Sequence, residues 1–93
     1  MNTANLQLEG VVMAMASISE TLIAKGVLTR DELAASLMEA EKCIEEDEDR
    51  KLSDSNRAAT LFPIRVLLLA NQAQEQGKRL TFSDYAEMVG RLT

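Results

Sequence analysis

Histidine and tryptophan are both absent from this 93-residue sequence. Without His the commonest general base is missing, and the Glu-x-x-His pairs of di-metal helical bundles cannot be built. A single cysteine, Cys43, excludes an internal disulfide and fits a reducing compartment. One Pro and four Gly leave few places where a helix must break. With two Phe and one Tyr, the core must be aliphatic, and five Met are available as filler. Basic residues are outnumbered 10 to 15, for a net charge of −5. Phosphate backbones and anionic lipid surfaces are therefore unfavourable partners. The N-terminus, Met1-Asn2-Thr3-Ala4-Asn5, has no basic region and no signal-like apolar block. The expectation is a cytoplasmic protein with no role at a membrane.

What is present favours helix. Apolar residues make up 46% and charged residues 27%, a globular balance. Residues 1–93 read as one all-α domain with helices at about 5–25, 30–48, 54–76 and 82–92. The third carries Pro63, which kinks it or divides it in two. The expected architecture is a four- to five-helix bundle of two helical hairpins, completed by dimerisation.

In the first helix Leu8, Val11, Met15, Ile18 and Leu22 alternate spacings of three and four. They form a stripe expected to face the core, widened by Val12 and Ile23. Leu6, Gly10, Met13 and Ser17 form a second stripe on the other side. Gly26 suits the left-handed position past the helix end. Leu28-Thr29-Arg30-Asp31-Glu32-Leu33 then reads as a capping box flanked by a hydrophobic staple. The second helix has Leu33, Leu37, Ala40 and Ile44 on its inner face. It should fray after Glu46, where Glu45 through Asp49 are five consecutive acids. After Gly77, Leu80-Thr81-Phe82-Ser83-Asp84-Tyr85 repeats the cap-and-staple pattern, with Asp84 in the box position.

Leu28 through Leu37, and Leu80 through Gly90, resemble the opening helix of bacterial helix-turn-helix domains. The resemblance implies a transcription-associated DNA-binding protein as an alternative reading. The chain departs from that pattern where bases would be read. No Gly turn follows Leu37, the residues from Met38 to Asp49 are predominantly acidic, and three residues follow Gly90.

Chemistry-bearing constellations are sparse. Cys43 has no His to take its proton and stands among Glu39, Glu41, Glu45 and Glu46, so it reads as a spectator. Asp47, Asp49 and Asp54 lack the Gly and Glu of a calcium loop, since Leu52 and Ala58 hold those positions. No phosphate loop, nucleotide fingerprint or nucleophile elbow occurs. The expectations are no catalytic residues, no cofactor and no metal.

The segment Leu61 to Ala70 is apolar nearly all round, interrupted by Arg65. Such a helix must be surrounded, and Ile64, Leu67 and Leu68 point away from Phe62, Val66, Leu69 and Ala73. Two-fold self-association would cover them. The expected interface residues are Ile64, Arg65, Leu67 and Leu68, with Leu6 and Met13 of the second stripe. A buried guanidinium needs a partner, and Glu41 or Glu48 is positioned to supply it. A different protein seated in a helix groove is the alternative partner.

Overall fold

The computed structural model describes residues 3–47 and 52–92 and contains four helices, with no strand among the described residues. They are α1 (Thr3–Ala24), α2 (Arg30–Glu45), α3 (Asp54–Glu75) and α4 (Phe82–Leu92).

Local chemistry sets the helix ends. Gly26 and Gly77 both adopt positive φ, at 75° and 74°. Each closes a Schellman motif: Val27 N–H donates to Leu22 O at 3.0 Å, and Lys78 N–H donates to Ala73 O at 2.8 Å. Thr29 completes its capping box, accepting from Glu32 N–H at 3.0 Å while Glu32 accepts from Thr29 N–H at 2.9 Å. Thr81 and Asp84 form the same reciprocal pair, at 3.1 and 3.0 Å. Ser53 caps α3, accepting from Asn56 N–H at 3.1 Å. Thr29→Ala is expected to lower stability by about 1 kcal/mol, read as a shift in the urea midpoint at unchanged slope. A shift no larger than that of an exposed Ala substitution would deny the box its role.

Of the two readings open at Pro63, a single helix is found: α3 runs through it, giving four helices among the described residues. Two boundary expectations need correction. α2 ends at Glu45, with Glu46 as its C-cap, earlier than residue 48. The expected charge repulsion among the acids accounts for the early stop; Glu48 itself lies outside the described residues. α1 begins at Thr3, two residues before the expected start.

The packing also differs from two hairpins. α3 is the hub: α1, α2 and α4 each pack on it, and the other pairs scarcely touch. Val66, fully buried at 0% exposure, marks the centre. Around it lie Val12 from α1, Ala70 and Ala73 from α3, and Tyr85 and Val89 from α4. The Tyr85 hydroxyl accepts from Leu80 N–H at 3.3 Å, which satisfies its one polar atom inside the core. Phe62 and Phe82 meet edge-to-face with ring centroids 6.2 Å apart. As expected, α2 turns Leu33, Leu37, Ala40 and Ile44 inward.

Because the outer helices converge on one hub instead of on each other, the molecule is open. Its radius of gyration is 13.7 Å, against about 12 Å for a compact domain of this length. It exposes 6519 Å² of surface, where a folded monomer of 10.2 kDa exposes about 5300 Å².

Candidate functional site: the uncovered faces of α1

Among the described residues, the large apolar side chains left exposed are concentrated on α1. Among its described residues only Val12 is buried, and it meets α3 along a narrow line with Leu8, Ala16, Ser19 and Ile23 half-buried beside it. Small and polar residues on that line keep the contact shallow. The stripe expected to face the core therefore does not. Val11 is 60% exposed, Ile18 58% and Met15 49%, and Leu22 is exposed as well. The core side is the edge occupied by Val12 and Ile23. At 100° per residue the stripe lies about a quarter turn away from it.

The second stripe is also wet: Leu6 and Met13 are both exposed, and Met13 lines a cleft. This cleft, about 620 Å³, lies among α1, α2 and α3, with Leu33, Leu37, Leu67 and Ala70 among its apolar walls. It exists because α1 and α2 stand apart.

By contrast, the segment expected to be left wet is largely accommodated. Ile64, Leu67 and Leu68 are half-buried rather than exposed, because three helices share the sides of α3. Leu67 packs against the central cluster. Arg65 finds a partner expected from sequence: its Nε donates to Glu41 Oε2 at 3.2 Å, and its Nη2 lies 3.6 Å from Glu45 Oε1. The surplus apolar surface is thus relocated from residues 61–70 to α1.

What holds α1 in place is a polar tie absent from the sequence reading. Arg30 donates to both carboxylate oxygens of Glu20, at 2.6 and 2.8 Å, and to Asn71 Oδ1 at 3.0 Å. Asn71 in turn donates from Nδ2 to the Arg30 carbonyl at 3.1 Å. Three helices meet in this network, and Asn71 is only 7% exposed. A polar residue one turn after Leu67, directly following the apolar segment 61–70, was the available signal.

The hydrogen bonds from Arg30 hold the Glu20 carboxyl below its ordinary range, against the opposing effect of burial. The N–H and hydroxyl of Thr81 lower Asp84 in the same direction. A carboxylate whose folded pKa is depressed stabilises the fold above its unfolded pKa, and that contribution fades as pH falls through the folded value. Stability is therefore expected to decline below about pH 5. Glu20→Gln should flatten that decline, as read from urea midpoints between neutral and acid pH. An unchanged acid slope in the variant would contradict the assignment.

Cys43 is exposed, with its thiol 3.9 Å from Glu39 Oε1. Among the described residues no group of His, Cys, Asp and Glu is arranged to hold a metal ion. α1 is the one described helix long and apolar enough to cross a membrane, and little of it is buried. Comparison of the chain with protein-family models, with curated proteins and with solved structures gives no match.

Proposed function

We propose that this chain is a small cytoplasmic helical interaction module that works as a symmetric homodimer. The observation that carries the reading is the uncovered surface of α1. The chain exposes roughly 1200 Å² more than a folded monomer of its mass, and a standard interface covers about 800 Å² per partner. Among the described residues, six of the eight large apolar side chains left exposed lie on this one helix. Such a concentration marks an interaction surface rather than scattered apolar residues.

Charge supports a second copy over a phosphate polymer. Two chains of net charge −5 repel at long range, but α1 carries only Glu9 and Glu20, and Glu20 is paired with Arg30. The exposed stripe has no charge of its own. The helix-turn-helix reading gains nothing from the packing. α3, the helix following the first such phrase, is the hub on which α1, α2 and α4 pack, not a helix carried on the surface to enter a groove.

Sedimentation equilibrium of the full chain tests the proposal. The expected result at tens of micromolar is a species of twice the chain mass. A single monomeric species at that concentration would overturn it.

A further inference from the structure

The geometry points to the occupant of the α1 stripe: α1 of a second copy, running antiparallel across a two-fold axis level with residue 13. This rests on the homodimer reading and goes further, naming the seam and its direction.

The stripe extends beyond its four exposed members. Ala4, Leu8, Val11, Met15, Ile18 and Leu22 follow one another at spacings of four, three, four, three and four. That is the a/d repeat of a coiled-coil seam, maintained over nearly the whole length of α1. On the helix they fall within an arc of about 80°. Val11, Met15, Ile18 and Leu22 are exposed, while Leu8 is half-buried against the chain's own core, so the seam is open to a partner from residue 11 to residue 22. Its flanks are Gln7, Ala14 and Thr21 on one side and Asn5, Val12 and Ser19 on the other, none of them charged. Flanking charges usually set partner and direction in coiled coils. Here they are missing, so side-chain volume decides.

Volume favours the antiparallel pair. With the axis at residue 13, Ala4 faces the partner's Leu22, Leu8 faces the partner's Ile18, and Val11 faces the partner's Met15. Each layer joins a smaller side chain to a larger one or two of similar size, so the seam fills evenly. A parallel pair would set Ala4 on itself and Leu22 on itself, leaving a gap at one end and crowding at the other. The register is also unsuited to a parallel two-stranded coil. Leu8, Met15 and Leu22 occupy a, and the β-branched Val11 and Ile18 occupy d, the reverse of the parallel-dimer preference. Antiparallel helices further place opposite dipole ends together.

Disulfide trapping in a Cys43→Ser background tests the seam and its direction together. Val11→Cys and Met15→Cys are prepared separately, then oxidised alone and as a mixture in a glutathione buffer, while sedimentation of the parent chain is measured in parallel. The expected result is a covalent dimer from the mixture and little from either variant alone. Rapid cross-linking of each variant with itself would mean a parallel seam and overturn the inference. No trapping in any combination, with a parent chain that still sediments as a dimer, would place the contact elsewhere and leave the homodimer standing. A monomeric parent that pellets with phosphatidylcholine vesicles would assign α1 to lipid, and a monomeric parent that stays in solution would leave the seam without an occupant. Either result overturns both readings.

Discussion

Ile18→Glu is expected to weaken self-association by 100-fold or more, on the order of 3 kcal/mol, while leaving the helical content intact. Ile18 is 58% exposed in the isolated chain, so a carboxylate there meets water and costs the monomer little. In the antiparallel seam the same carboxylate would lie against Leu8 of the partner subunit, with no basic residue on either flank to receive it. Symmetry places two such charges in each dimer, and an unpaired charge taken out of water carries a large penalty. Leu6→Glu is the control. Leu6 is exposed to a similar degree but lies on the far side of α1, so its substitution should leave the sedimentation profile unchanged. If Leu6→Glu dissociates the dimer and Ile18→Glu does not, the interface lies on the Leu6 and Met13 stripe instead.

Asn71→Leu is expected to lower stability by about 2 kcal/mol, or roughly 8–16 °C in Tm for a domain of this size. Leucine has a comparable volume, so packing changes little. What is lost is the acceptor for Arg30 Nη1 and the donor to the Arg30 carbonyl. The guanidinium keeps Glu20 and a long 3.5 Å contact with the residue 71 carbonyl, but both side-chain hydrogen bonds from that pair to α3 disappear. The effect should couple to Glu20→Gln in a double-mutant cycle, because both substitutions act on one network. Melting must be compared at one chain concentration, since a dimer's Tm depends on it. A loss below about 0.5 kcal/mol, the scale of an ordinary surface substitution, would show that shape alone seats α1 and α2 on α3.

The same network explains where the sequence reading of α1 went astray. A stripe at three- and four-residue spacing states that a face needs cover, not what covers it. From sequence, Leu8 through Leu22 looked like the inner face and Val12 its margin. In the structure Arg30 joins Glu20 to Asn71, and that tie, together with the buried contact of Val12, sets the helix about a quarter turn from the expected orientation. The richest apolar face then points outward. Residues 61–70 are the complement: three helices of the same chain flank this all-round apolar segment and leave Ile64, Leu67 and Leu68 half-buried.

Helix identity, the capping boxes at Thr29 and Thr81, the left-handed Gly26 and Gly77 and the inner face of α2 were determined by the sequence alone; for Arg65 the sequence narrowed the partner to Glu41 or Glu48, of which Glu41 is observed. Most of them depend on residues within one or two turns of each other, where steric limits and short hydrogen bonds leave few alternatives. The choice of α3 as hub, the continuity of the helix at Pro63 and the exposure of the α1 stripe were decided only by tertiary packing. Each is settled by competition among distant segments for the same surface, and no local pattern records which segment prevails.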